Sequence, residues 1–260
     1  MNLGKRDMRT LVQRLTETSS YTAALRMLLQ YKRPLDLLYR ELFSKGEYPI
    51  TVEIRTPIGS RTVHLYHYED LSTLNSIFCR HDYVAPRPLD TVVDFGANIG
   101  LSCLYWLTRN AGSRVFVYEP VPTNFERLKL NLRGLESRYV AEQAAASDSR
   151  GTVSFGIETT GRLGGIGAPT GQTIQVRCIH VMDALCPILE SRGVIDCLKV
   201  DVEGHERALL GAIETKCFER IRFINVEDSV GKTRRLIPSY FTCTRHLSIQ
   251  RYANTRLNGR

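Results

Sequence analysis

Residues 91–119 constrain the fold more than any other stretch of this chain. The sequence TVVDFGANIG begins with a short apolar run, 91–95, which is typical of a strand buried on both faces. Two glycines bracket a tight turn, and apolar residues at helical spacing follow them. A second apolar run, 114–118, ends at Glu119. The pattern predicts a strand, a glycine turn, a helix and a strand, with Glu119 at the carboxyl edge of an α/β sheet, where such sheets bind ligands.

The residues of this turn indicate the kind of ligand. An acidic residue about 20 positions after a glycine turn suits the two hydroxyls of a ribose, because a carboxylate accepts both hydrogen bonds. The turn reads D-x-G-x-N-x-G, so Asn98 stands where the dinucleotide pattern has its second glycine. Asp94 adds a negative charge, which suits an amine and a sulfonium better than a pyrophosphate. The turn favours S-adenosylmethionine as the cofactor, with another nucleotide as the alternative.

Composition and charge narrow the class of protein. The chain of 260 residues has 43% apolar and 24% charged residues, as a globular protein does, and no apolar run approaches the ~18 residues of a membrane span. No signal peptide is expected either. The seven cysteines are scattered without a C-x-x-C motif, so neither a zinc site nor a disulfide framework is predicted, and a reducing cytoplasm is the simplest location.

The net charge of +8 is concentrated near the end of the sequence. Residues 231–260 contain seven Lys or Arg and no acidic residue, which leaves the first 230 residues nearly neutral. This distribution argues against a protein that coats nucleic acid over a broad face. The basic stretch is interpreted as a solvated, partly frayed tail, and attraction to a phosphate-bearing substrate is the alternative.

The sequence predicts two regions, 1–88 and 89–260. The first contains helical patterns up to Gly46 and an alternating hairpin pattern over 48–65. We expect it to act as a lid, a substrate contact or a homodimer contact. The linker that follows contains Tyr83, which is interpreted as a packed residue and alternatively as a border of the ligand pocket.

Further polar residues follow other predicted strands of the second region. Ser147 and Asp148 follow a strand with small residues, where backbone amides and a carboxylate could meet an adenine edge. The stretch 159–171 holds five glycines and is predicted to be a mobile, exposed loop that could cover a site. The strand at 195–200 ends in KVDVEGHE, so Asp201 is the first candidate for a catalytic base and His205 the second. Asp201 and a second carboxylate, Glu227, could hold a divalent cation, but no third ligand stands out and no metal is predicted.

Four blocks in this order resemble one protein family. VVDFGANIG, VYEPVPTNFERLKLNL, AAASD and DCLKVDVEGHERALLGA are similar to the FkbM family of S-adenosylmethionine-dependent methyltransferases, from about residue 91 to residue 227. The resemblance implies a Rossmann-like, doubly wound class I methyltransferase sheet of seven strands with the last hairpin reversed. It further implies that the methionine part of the donor is surrounded by Asp94, Gly96, Asn98 and Gly100. Glu119 would hold the ribose, and Asp148 together with the backbone near Ser147 would hold the adenine.

The resemblance also implies a reaction. The default is O-methylation of a hydroxyl on a small-molecule acceptor: a sugar, a glycolipid or a polyketide-type natural product. Two alternatives stay open. One is a methyltransferase-like binding module whose basic C-terminal stretch contacts RNA or an acidic carrier. The other is a nicotinamide-dependent oxidoreductase, which the residues of the glycine turn disfavour.

Overall fold

The computed structural model describes residues 2–3, 6–7, 18–83, 89–158, 164–168, 171–228 and 230–258. The chain divides into two compact units, 1–82 and 83–260. The division lies a few residues before the boundary predicted at 88, and residues 84–88 of the predicted linker lie outside the described ranges.

The first unit combines short helices with a β-hairpin. Its elements are β1 (Asn2–Leu3), β2 (Arg6–Asp7), α1 (Thr18–Gln30), α2 (Pro34–Phe43), β3 (Ile50–Thr56), β4 (Gly59–Leu65) and α3 (Tyr68–Asn75), followed by a π-helical turn at Ser76–Arg80. Alternate residues of β3 and β4 are buried, as a hairpin packed on one face requires. The fully buried Tyr31 donates a hydrogen bond of 2.5 Å to Asn75, which ties the end of α1 to α3.

The second unit contains two sheets and the helices that connect their strands. Its strands are β5 (Thr91–Phe95), β6 (Arg114–Tyr118), β7 (Tyr139–Glu142), β8 (Ala145–Ser147), β9 (Gly151–Ile157), β10 (Gly164–Ile166), β11 (Gln172–His180), β12 (Ile195–Val200), β13 (Ile221–Glu227), β14 (Phe241–His246) and β15 (Ile249–Asn254). Its α-helices are α4 (Leu101–Arg109), α5 (Pro122–Asn131), α6 (Val181–Arg192), α7 (Glu206–Gly211), α8 (Thr215–Phe218) and α9 (Thr255–Asn258). Across the described ranges of both units, every helix is too short or too polar to cross a membrane.

The larger sheet confirms the predicted α/β class. Its seven described strands have the order β14-β15-β13-β12-β5-β6-β7, and β15 is antiparallel to β13, whereas β12, β13, β5, β6 and β7 are parallel. The chain passes from β5 outward to β7 and later from β12 outward to β13, so the order reverses between β5 and β12. The carboxyl ends of strands at such a switch point form a crevice. Here Phe95 pairs with Val200, which places the glycine turn beside Asp201.

A smaller sheet corrects the prediction for the glycine-rich stretch. Residues 164–166 form β10, which pairs with β9 in a four-stranded sheet of order β10-β9-β11-β8. Gly165 is buried, so this part of the stretch is not an exposed loop. A Cβ at Gly165 would lie 2.7 Å from the carbonyl oxygen of Glu203, so only glycine allows the strand to approach so closely. Residues 159–163 and 169–170 of the predicted loop lie outside the described ranges.

The basic stretch near the end of the chain is folded up to residue 258. It forms β14, β15 and α9, and two of its arginines lie over tyrosine rings: Arg234 is 5.6 Å from the centre of Tyr252, and Arg256 is 4.0 Å from that of Tyr240. The prediction of a partly frayed tail is therefore wrong for residues 231–258, whereas the reversed last hairpin that the resemblance implies is present as β14 and β15. The cause is the antiparallel pairing of β15 with β13, which makes this stretch part of the main sheet.

Truncating a central strand residue should measure how much this sheet contributes to stability. Ile224 of β13 has no exposed surface, so we expect Ile224→Ala to lower the free energy of unfolding by about 2–5 kcal/mol through lost burial and a residual cavity. Val140→Ala, on the edge strand β7 where the side chain is 44% exposed, should cost less than about 0.5 kcal/mol. Urea unfolding followed by circular dichroism measures both, and equal losses would contradict the assigned core.

Candidate active site

A cavity lies at the carboxyl ends of β5, β6 and β12. Every described residue that lines it belongs to the second unit. The glycine turn after β5, the Glu119 segment after β6 and the turn after β12 contribute its polar side. The residues that line it are Gly96, Asn98, Tyr118, Glu119, Pro120, Val121, Asn124, Ala144, Ala145, Ala146, Phe155, Gly164, Ile166, Asp201, Val202 and Glu203.

The glycine turn approaches the neighbouring strand end too closely for any side chain. Gly96 has a φ of +81°, and a Cβ there would lie 1.7 Å from the carbonyl oxygen of Asp201. The backbone N–H groups of Gly96 and Ala97 donate to the carbonyl of Tyr118 at 3.1 and 3.3 Å, which fixes the turn to β6 as well. The glycine at this position thus lets three strand ends converge on one cavity.

Glu119 is buried at the floor of the cavity. One carboxylate oxygen accepts the N–H of Asn98 at 2.8 Å and the other accepts the N–H of Val121 at 2.9 Å. Burial raises the pKa of Glu119 to about 7, although these two hydrogen bonds oppose the rise. Because a carboxylate has about four acceptor positions and these hydrogen bonds within the described residues use two of them, Glu119 can also accept hydrogen bonds from hydroxyl groups of a ligand.

The opposite side of the cavity is apolar. Val121 follows β6, the small residues Ala144–Ala146 include part of β8, and Phe155 and Ile166 come from β9 and β10. Phe155, Val121 and Ala145 belong to one hydrophobic cluster, and Ile166 packs against it. A flat aromatic ring system fits such a wall, because small residues leave room for it and the phenyl ring and branched side chains provide apolar contact.

A buried lysine connects the glycine turn to the turn after β12. The ammonium of Lys199 lies 3.0 Å from Asp94, 3.2 Å from Asp201 and 2.9 Å from the carbonyl oxygen of Gly96, and the side chain is 3% exposed. Burial alone would lower the pKa of Lys199, but Asp201 and Asp94 outweigh it and raise the pKa well above its usual value. Lys199 is therefore charged and hydrogen-bonded to both sides of the switch point.

Asp201 is the carboxylate through which this network reaches the cavity. It lines the cavity, its side chain is 20% exposed, and it accepts a hydrogen bond of 3.3 Å from the hydroxyl of Tyr83. Burial would raise the pKa of Asp201, but the Lys199 ammonium outweighs that effect and lowers it. Asp201 also contacts the carboxyl of Glu227 at the end of β13.

The structure brings together part of the predicted site. Gly96, Asn98, Glu119 and Asp201 all line the cavity. Asp94 lies behind the turn, fully buried, where it accepts hydrogen bonds from Ser102 and Lys199 at 2.5 and 3.0 Å. Its charge is thus balanced within the protein, whereas Asp201 lines the cavity.

Four other predicted residues lie apart from the cavity lining. Gly100 begins helix α4 with a φ of +85° and packs against Leu128. Ser147 is buried and donates to Asp148 at 2.9 Å. Asp148 and His205 line a second, open groove together with residues of α7. The predicted adenine contact of Asp148 and the predicted base role of His205 stay predictions, and neither residue is among those that form the cavity.

Three residues gain importance that the sequence patterns understated. Tyr83 is buried, as the packed interpretation predicts, and its hydroxyl also donates a hydrogen bond to Asp201. Phe155 and Ile166 form the apolar wall from the smaller sheet. The alternating apolar residues of 152–157 are a signal for Phe155 alone, and no local pattern reveals which cavity a distant strand will line.

These features define a class of protein. A mostly parallel sheet of this order, with a glycine turn after its first strand and an acidic residue after its second, is the Rossmann-like class I methyltransferase fold. The methyltransferase FkbM domain family matches residues 94–245, which is more than half of the chain. The chain therefore belongs to the FkbM family of methyltransferases, and the resemblance stated from its sequence is confirmed.

Two characterised methyltransferases are similar to this chain in sequence. The chain is 28% identical over 214 residues to 31-O-demethyl-FK506 methyltransferase FkbM of Streptomyces tacrolimicus, covering 67% of this chain and 80% of that protein. It is 28% identical over 144 residues to hexuronic acid methyltransferase AglP of Haloferax volcanii, covering 55% of this chain and 57% of that protein.

A solved structure supports the fold. The crystal structure of methyltransferase FkbM from Methylobacillus flagellatus KT superimposes with a TM-score of 0.50 at 18% sequence identity. The match covers 94% of this chain and 57% of that chain, so this protein spans little more than half the length of that structure.

Filling the space at Gly96 should disrupt the cavity. We expect Gly96→Ala to destabilise the protein, because the positive φ alone costs on the order of 1–3 kcal/mol and the added methyl overlaps the Asp201 carbonyl. Gly112→Ala is the matched control, since its nearest neighbours are 3.7 Å away and its φ is ordinary. Thermal unfolding measures both variants. A Gly96→Ala protein as stable as the control would show that the turn is not as tightly packed as described.

Proposed function

We propose that this protein transfers the methyl group of S-adenosylmethionine to a hydroxyl of a small-molecule acceptor. The observation that carries the proposal is the cavity itself, which is lined by the buried Glu119 carboxylate, a group of apolar residues and the Asp201 carboxylate. The proposed acceptor class is a sugar, a glycolipid or a polyketide-type natural product.

The residues present fit this donor part by part. Glu119 has acceptor positions left for the ribose hydroxyls. Phe155, Ile166 and the alanines 144–146 provide the apolar contact that an adenine requires. Asp94, Asp201 and Lys199 together carry one net negative charge, which favours a ligand with a sulfonium and an amino group.

The protein's contribution to such a reaction is positioning, exclusion of water and proton removal. When bound, the donor supplies a methyl group on a positively charged sulfur, which becomes a neutral sulfide once the methyl has left. Holding an acceptor in line with that group can contribute roughly 7–11 kcal/mol through orientation. Asp201 lines the cavity and its pKa is lowered, so it can accept a hydroxyl proton, a role that typically contributes about 10²–10⁴-fold in rate.

The names of two relatives support an oxygen acceptor. One acts on 31-O-demethyl-FK506 and the other on a hexuronic acid. Both relatives are 28% identical to this chain, so they support the class of acceptor and leave its identity to experiment.

Calorimetric titration with S-adenosylmethionine, S-adenosylhomocysteine and NAD tests the donor assignment. We expect micromolar binding of the first two and none of NAD. Glu119→Ala should abolish the binding because it removes the carboxylate of the cavity floor. Glu126→Ala, which removes an exposed carboxylate paired with Lys129 on α5, is the matched control and should bind normally.

Transfer of a labelled methyl group to 31-O-demethyl-FK506, free hexuronic acids and hydroxyl-free analogues then tests the acceptor class. Labelled ether products from the hydroxyl compounds alone support the proposal. Folded wild-type protein that binds NAD, and binds neither S-adenosylmethionine nor S-adenosylhomocysteine, would overturn it.

Donor binding should depend on pH through Glu119. Since burial raises its pKa to about 7, the ionised fraction rises from about one-tenth at pH 6 to about one half at pH 7. Ribose hydroxyls and a cationic donor both favour the ionised form, so we expect affinity to increase up to about fivefold from pH 6 to pH 7, with a proton released on binding. Calorimetry in buffers of different ionisation enthalpy detects that proton. Glu119→Gln should bind weakly and without this dependence, and a retained dependence in that variant would assign it to another group.

A further inference from the structure

Two carboxyl groups meet where neighbouring strands end. Asp201 follows β12 and Glu227 ends β13, and the register of these strands pairs Val200 with Val226. The register places the two carboxyls side by side, where they act on each other, and two neighbouring carboxyls are favourable together when one of them holds a proton. Asp201 lies on the cavity side of the pair, whereas Glu227 is exposed to solvent. The pair thus connects the cavity with water.

The groups that face each carboxyl decide which one holds the proton. Asp201 faces the Lys199 ammonium at 3.2 Å and the Tyr83 hydroxyl at 3.3 Å, both of which stabilise a negative charge. Glu227 accepts a hydrogen bond of 3.0 Å from Ser248 of the β14–β15 turn, but the charges that act on it are those of Asp201 and Glu203. The proton therefore resides on Glu227 and the negative charge on Asp201.

The pKa values of the two groups agree with this geometry. The Asp201 carboxylate, with burial as a second cause, raises the pKa of Glu227 to about 8. The pKa of Asp201 is lowered, because Lys199 outweighs the effect of burial. At neutral pH the pair therefore carries a single proton.

We propose that Asp201 and Glu227 act as a proton-transfer pair, in which Asp201 removes the acceptor hydroxyl proton and Glu227 delivers a proton to water. This inference rests on the proposed methyl transfer and adds Glu227 to it as the route by which the proton leaves. It also commits the acceptor to a group that must lose a proton, such as a hydroxyl.

The proton balance of the step is simple. The acceptor O–H bond breaks and a new O–H bond forms on the Asp201 carboxylate. Glu227 gives the proton it already holds to water and takes the one from Asp201, which restores the starting pair. One proton reaches the solvent for each methyl group transferred, and no oxidation or reduction takes place.

Carbon-13 NMR of protein labelled at the Asp and Glu carboxyls tests the pair without any acceptor. We expect one carboxyl signal to titrate near pH 8 in the wild type and to be absent in Glu227→Gln. Asp201→Asn should shift the pKa of Glu227 down, because the charge that contributes most to raising it is gone. Ser248→Ala should shift it up, because a stabilising hydrogen bond to the ionised form is lost. Glu214→Gln, an exposed carboxylate beside Lys216, should leave the signal unchanged.

A Glu227 signal that titrates within a unit of its ordinary ~4.3 in the wild type would overturn the proposal. So would a signal near pH 8 that Asp201→Asn leaves in place. The Ser248→Ala variant keeps the test informative if Asp201→Asn does not fold, because a pKa of Glu227 that stays unchanged there also contradicts the described contacts.

Kinetics with one of the hydroxyl compounds named above as acceptors separates this inference from the proposed function. We expect Glu227→Gln to lower kcat at least tenfold with donor affinity within twofold of the wild type, and Asp201→Asn to lower kcat about 10²–10⁴-fold. Donor binding and turnover with an unchanged kcat in Glu227→Gln would overturn the pair and leave methyl transfer standing. Absent donor binding in the wild type would instead count against the proposed function. Activity that EDTA abolishes and Mg²⁺ restores would overturn the pair by making it a cation site.

Discussion

The buried ammonium of Lys199 is the interaction on which the site depends. Asp94 and Asp201 extend from neighbouring strands into one crowded strand edge, and their charges would repel each other and lack solvation without a cation between them. Lys199 neutralises one of these charges and also binds the carbonyl of the glycine turn. The turn after β5 and the turn after β12 are thus linked by charge as well as by backbone packing, and the cavity between them has a fixed polar side.

Much of the fold could be predicted because its signals are local. The apolar run of β5, the glycine turn and the apolar run of β6 can each be recognised within ten residues. The distance of Glu119 from the turn predicts its position at the end of β6. The hydrogen bond from Tyr83 to Asp201 spans 118 positions, so no local pattern could reveal it. For the same reason the glycine-rich residues of β10 read as a loop: their strand partner and the close approach to Glu203 exist only in the folded chain.

The segment after β12 shows why dense polar chemistry in a sequence does not define one site. Asp201 and His205 are four residues apart, yet one lines the cavity and the other lines the open groove. The chain turns between them at Glu203 and Gly204, both with positive φ, and the Glu206 carboxylate accepts the N–H groups of Val202 and Gly204 at 3.0–3.1 Å. After this turn, residues of helix α7 line the open groove and are absent from the cavity lining. A strand end and a helix start that adjoin in sequence therefore face different surroundings.

The charge around the cavity argues for one class of ligand over another. Four carboxyls lie at the cavity or directly behind it, those of Asp94, Glu119, Asp201 and Glu203. The ammonium of Lys199 is already shared by Asp94 and Asp201. Folds that bind dinucleotides leave the N-terminus of the first helix open to a pyrophosphate. Here Asn98 presents its N–H to Glu119 within the protein, so that hydrogen bond is not available to a phosphate. A pyrophosphate would meet uncompensated negative charge in this cavity, whereas a nucleoside with a cationic substituent would complete its charge balance.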